Sequence, residues 1–69
     1  MTNKPEEKQI ILCGEVVKEN LFPDLYRFAK NNLTTAEEML QNMVKKEHEH
    51  GNKNFNVGSA IVILNSDLN

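Results

Sequence analysis

The first block of apolar positions runs from Gln9 to Val17 ("QIILCGEVV"), where aliphatic and β-branched residues crowd together. On a pleat of period two, Ile10, Leu12 and Val16 fall on one face and Ile11, Cys13, Glu15 and Val17 on the other. The segment predicts a strand, with Gly14 marking a bulge or the close approach of another backbone. The period then changes. Leu25, Phe28, Ala29 and Leu33 recur at helical spacing, with Arg27, Lys30 and Asn31 on the opposite side. Pro23 suits the first helical position and Asp24 the positive end of the dipole, while Asn31-Asn32 supplies a stop. A second helix is predicted from Thr34 or Thr35, because Thr35 with Glu38, and Thr34 with Glu37, have the spacing of a capping box. Its apolar stripe is Ala36, Met39, Leu40, Met43 and Val44, and Gly51 is its C-terminal cap. From Asn54 to Leu64 apolar residues return, and the alternation of Phe55, Val57, Ile61 and Ile63 with Asn56, Gly58, Ala60, Val62 and Leu64 predicts a second strand.

These elements give an α+β fold in the order β-α-α-β. Two reversals lie between the strands, so the simplest closure is an antiparallel two-stranded ribbon packed on a helical hairpin. Residues 1–8, polar and carrying a proline, predict a flexible arm; residues 9–69 predict a single domain. Two strands alone are marginal in water. The helices cover one face of such a ribbon, and Ile11, Val17, Val62 and Leu64 are then left on the other. Each large apolar side chain gains roughly 1.5–3 kcal/mol on leaving water, so a second copy of the chain is expected to cover them.

Composition sharpens this expectation. With 69 residues the chain is expected to bury only about 60% of the surface it exposes when unfolded. A single cysteine excludes an intrachain disulfide as a staple, which leaves oligomerisation. The chain is 39% apolar and 26% charged, as ordinary folded proteins are. Its apolar runs are too short to cross a bilayer, and residues 1–8 lack the apolar stretch of a signal peptide, so a cytoplasmic location is expected. A net charge of -2 gives no general pull toward nucleic acid.

Catalytic and metal chemistry find little footing. His48 and His50 in "KKEHEHG" share a side only in an extended segment, and on a helix they lie about 200° apart. Lys45, Lys46 and the histidines instead complement the negative end of the second helix, and Glu47 and Glu49 there predict fraying near Lys46. Cys13 inside an apolar strand reads as an inert core residue. Ser59 and Ser66 lie in no nucleophile turn, and Gly14, Gly51 and Gly58 are too isolated to cradle a phosphate. No catalytic residue, metal site or cofactor is expected. The acidic residues are more informative. Glu15 and Glu19 leave the first strand, Asp24 opens the first helix, and Glu37 and Glu38 open the second, so the five are candidates for a patch that steers encounter with a basic protein surface.

Two functional readings follow. The preferred one is a small non-enzymatic regulator or inhibitor that binds another protein, of the kind phages encode against host proteins. Its carboxylates would stand where phosphates sit on a nucleic-acid-binding protein. The alternative rests on a resemblance. Strand, helix and helix over Gln9 to about Lys46, with Asn32-Leu33-Thr34 at the inter-helix turn, is similar to the ribbon-helix-helix repressors. That resemblance implies a dimer in which each chain contributes one strand and the ribbon's outer face reads DNA, with Arg27, Lys30, Lys45 and Lys46 on phosphates. Neither face of the first strand offers the arginine or lysine that groove reading needs, so this reading ranks second.

Overall fold

A computed structural model describes residues 8–69. Two short strands, β1 (Gln9–Leu12) and β2 (Glu15–Lys18), are followed by three helices, α1 (Pro23–Asn31), α2 (Leu33–Glu49) and α3 (Val57–Asp67). The fold is α+β, a two-stranded antiparallel sheet packed against helices. The expected ribbon is present, but its strands are chain neighbours: β1 pairs with β2 and not with the C-terminal segment.

The reason lies at Cys13-Gly14, where φ is 51° and 84°. Two successive positive values make the two-residue turn whose twist matches that of flanking antiparallel strands. Gly14 adopts this conformation without steric cost, and so marks a turn in place of the expected bulge. The turn also changes which side chains share a face. Ile10 lies opposite Val17, Ile11 opposite Val16 and Leu12 opposite Glu15. Residues directly opposite each other point to one side of the sheet. Val17 therefore joins Ile10 and Leu12, whereas one continuous strand would have placed it with Ile11. Leu12 and Val17 are fully buried, while Ile11 and Val16 point outward, 57% and 47% exposed. The hairpin runs one pair further, because the Glu19 N–H donates to the Lys8 carbonyl at 2.8 Å. Lys8 apart, the arm expected at residues 1–8 lies outside the described residues.

α1 begins at Pro23 as its sequence predicts, and buries Leu25, Tyr26 and Ala29. Its flanking residue Phe22 offers no side-chain cap. The missing acceptor comes from α3, where Asn65 Oδ1 accepts from the Leu25 N–H at 2.9 Å. α2 begins at Leu33, ahead of both expected threonines, so Thr34, Thr35, Glu37 and Glu38 are already helical and neither capping box forms. Asn32 takes the cap position, its carbonyl accepting from the Ala36 N–H at 2.9 Å. Its side chain is spent on α1 instead, donating to the Phe28 carbonyl at 3.1 Å.

The far end of α2 does not fray at Lys46 but continues to Glu49. Gly51, at φ 96°, ends it as expected. The Gly51 N–H donates to the His48 carbonyl at 3.1 Å and the Asn52 N–H to the Glu47 carbonyl at 2.8 Å, the paired bonds of a Schellman stop. Asn52 Nδ2 also donates to Glu47 Oε1 at 3.0 Å. That bond accounts for an acidic side chain where the helix dipole disfavours one.

The largest departure is at the C-terminal segment, which is helical where alternation predicted a strand. Asn56 caps α3, its Oδ1 accepting from the Ser59 N–H at 3.0 Å. On a helix Val57, Ala60, Ile61, Leu64 and Leu68 fall on one side. Ala60, Ile61 and Leu64 join the core with Leu12, Val17, Leu25, Ala29, Ala36 and Leu40, and Val57 and Leu68 pack against it. Leu64, expected on the self-association face, is only 3% exposed because α3 turns it beneath the chain's own elements, whereas Val62 is 56% exposed.

Candidate interaction surfaces

The hairpin is fixed to α2 at its tip. The Cys13 N–H donates to Glu37 Oε2 at 3.1 Å, and Cys13 Sγ lies 3.5 Å from the Glu37 carbonyl oxygen. Cys13 is thus a turn residue held by α2, not a residue within a strand. Its thiol pKa is raised, first by burial and then by the Glu37 carboxylate, with a hydrogen bond to Gln41 opposing both. A thiol held protonated is a poor nucleophile at neutral pH. The same contact blunts one edge of the sheet. The Glu19 N–H bonds to the Lys8 carbonyl inside the hairpin, so by alternation Gln9, Ile11 and Cys13 turn their backbone groups to the outer side of β1, and Glu37 takes the amide nearest the tip.

This geometry divides the five acidic candidates. Glu15 leaves the turn and Glu37 grips it, so these two belong to the tip, with exposed Glu38 beside Glu37 on α2. Glu19 sits at the open end of the hairpin, four residues or about 13 Å along the strand from Glu15. Asp24, which follows it at the start of α1, is bound to Arg27, whose Nη2 lies 2.7 Å from Asp24 Oδ1. Glu15 at the tip and Glu19 at the open end are thus set apart along the hairpin, and Asp24 is engaged by Arg27.

Of the four self-association candidates, Ile11 and Val62 are exposed, and Val17 and Leu64 belong to the core. Val16, opposite Ile11, completes an outward apolar pair that one-strand parity hid. Ile63 adds to Val62 on the outer side of α3, and Leu21 and Leu33 are exposed singly.

The cations of the DNA-binding reading are partly spent within the chain. Arg27 pairs with Asp24, and Lys30 Nζ stands 5.6 Å from the centre of the Tyr26 ring. The strand that the ribbon-helix-helix resemblance pairs with a second chain is paired here with β2.

His48 lies on α2 with its Nε2 2.8 Å from the Phe55 carbonyl oxygen, a bond that ties the loop before α3 to the helix, and His50 is the exposed residue ending α2. Among the described residues no group of three or more His, Cys, Asp or Glu side chains is placed to hold a metal ion. Between α2 and α3 an open groove of about 490 Å³ is lined by Gln41, Val44, Lys45, His48, Glu49 and Val57. Sequence reasoning missed it, since it depends on residues 57–67 being a helix laid along α2. Among the described residues no helix is long and apolar enough to cross a membrane.

Comparison with known proteins adds no relative: no family model, no curated protein and no solved structure matches the chain.

Proposed function

We propose that the protein is a small non-enzymatic regulator that acts in the cytoplasm by binding another protein, and that its hairpin is the contacting element. One observation carries this reading. Ile11 and Val16 form an exposed apolar pair on the outer side of a hairpin whose tip carries exposed Glu15 and is bonded to Glu37 of α2. An apolar pair on the outer face, with exposed Glu15 at the tip and exposed Glu38 on the helix that grips it, fits a target that offers an apolar contact near a basic surface, such as the phosphate-binding face of a nucleic-acid-binding protein. The hairpin is held by buried Leu12 and Val17 and by the Cys13–Glu37 bond, so little ordering is required on binding.

The test is retention of basic host proteins on the immobilised chain, compared with an Ile11→Ser/Val16→Ser variant and a Glu15→Lys/Glu38→Lys variant. The reading expects the first to abolish retention and the second to weaken it, most strongly at low salt. If both variants retain the same proteins as the parent chain, the hairpin is not the contact. Salt-dependent binding of the parent chain to duplex DNA, insensitive to Ile11 and Val16, would instead establish the DNA-binding alternative.

A further inference from the structure

A second copy of the chain was expected on a face of four residues, two of which the fold has buried, so the place where copies meet must be sought elsewhere. The groove between α2 and α3 has the right composition. Val44 and Val57 give it an apolar lining, and His48 is held against the Phe55 carbonyl, which fixes that wall in place. Its rim carries one cation and one anion, Lys45 and Glu49, a single helical turn apart on α2. Both are exposed, and among the described residues neither makes an ion pair. With 3.6 residues per turn they lie about 40° apart around the axis, while Lys46 and Glu47 point roughly 100° or more away from Lys45. The groove side of this end of α2 therefore presents one positive and one negative charge in a fixed order along the axis.

That order is self-complementary. When two such helices cross antiparallel about a two-fold axis, the cation of each meets the anion of the other, and one rotation makes both pairs. A parallel crossing sets like against like. We propose that this groove is where two copies of the chain associate, α2 packing antiparallel on α2, with Lys45 of each copy against Glu49 of the other and Val44 and Val57 of both enclosed. The inference rests on the expectation that a second copy binds at all, and replaces the face first expected for it. With six lining residues a side, against the 20–30 of a standard interface, the dimer is a weak one, roughly micromolar to millimolar.

The experiment is sedimentation equilibrium of the full chain up to about 1 mM, a range set by that weak affinity, with circular dichroism to confirm that every variant is folded. Lys45→Glu and Glu49→Lys each place two like-charge pairs across the axis, so each should weaken association tenfold or more. Mixing the two variants, or combining both substitutions in one chain, restores opposite charges and should restore association. A dimer insensitive to both substitutions would overturn the groove while leaving self-association standing, and so would a mixture that fails to recover. A chain that stays monomeric throughout overturns the groove and the dimer together. A monomer whose retention of a basic protein is lost with Glu49→Lys would assign the groove to that protein instead of a second copy.

Discussion

Asn65→Ala is the substitution that most directly tests how this small core is closed. α1 has no side-chain cap of its own, and among the described residues the Leu25 N–H in its first turn is satisfied by Asn65, forty positions away in α3. Removing the amide subtracts a cap, which ordinarily costs about 0.5–2 kcal/mol, and leaves a part-buried donor without a partner, whose desolvation costs about 1–3 kcal/mol. These figures describe one bond from its two ends and are not additive, so the expected loss is about 1–2 kcal/mol. For a domain of this size that corresponds to a fall in Tm of roughly 4–16 °C. Asn65→Asp keeps an acceptor and adds a favourable charge at the helix N-terminus, so it should retain most of the stability despite the neighbouring Asp24. Thermal and urea unfolding followed by circular dichroism give the totals, and amide exchange assigns them, because the Leu25 amide should lose protection selectively in Asn65→Ala. Ser66→Ala, at an exposed position one residue on, is the control and should stay within about 0.5 kcal/mol of the parent. If Asn65→Ala unfolds with Ser66→Ala and Leu25 keeps its protection, α1 does not depend on α3 for its cap and the reasoning fails.

Two further predictions bear on the elements that the sequence misassigned. Val62 and Leu64 would share a face in a strand, but on α3 they lie about 200° apart; Leu64→Ala should therefore cost about 2–5 kcal/mol, enough to leave much of the chain unfolded, while Val62→Ala stays within about 0.5 kcal/mol in the same urea titration. Equal losses at the two sites would refute the helix. Cys13 gives a pH dependence: its thiol pKa is raised in the folded chain, by burial first and Glu37 second, so the folded state holds the proton more tightly than the unfolded state does. Stability is then complete below the ordinary thiol pKa and declines as pH rises through the raised one, a decline that should vanish in Cys13→Ala. Slower reaction of the native thiol than of a free one with a disulfide reagent at mildly alkaline pH checks the same point.

How much of this fold could be read beforehand differs by element, for physical reasons. α1 and α2 were legible because a period of 3.6 over several turns is hard to mimic, and because Pro23 and Gly51 act through the backbone whatever surrounds them. The hairpin was not, because the pair that turns it is Cys-Gly and only the glycine is a usual turn residue; without the turn, Gln9 to Val17 reads as one strand and the parity of everything after Gly14 is wrong. That one error put Val17 on the outside and hid Val16. α3 failed for another reason: a short apolar run such as Ala60–Leu64 fits a buried strand and a buried helix equally well by periodicity. The deciding signal was available at its start, where Asn56 stands three residues before Ser59 as an N-cap does before its amide. The acidic set was legible as residue types and not as a site, since its grouping depends on the hairpin's path. The groove was not legible at all.

A thin core and the proposed binding role are compatible because polar tethers assist the core. Glu37 holds the hairpin tip, Asn65 holds the start of α1 and His48 holds the loop before α3, each by a bond from a helix side chain to the backbone of another segment. Each bond is worth only about 0.5–1.5 kcal/mol net, but it joins elements far apart in sequence and so restrains how they sit on one another. All three act at element ends, where backbone groups lack helical or ladder partners and the apolar cluster does not reach. The outer face of the hairpin, with Ile11 and Val16, is thereby left free of connecting duties. A hairpin held from its tip in this way needs no ordering to present that face, which is what the proposed contact with another protein requires.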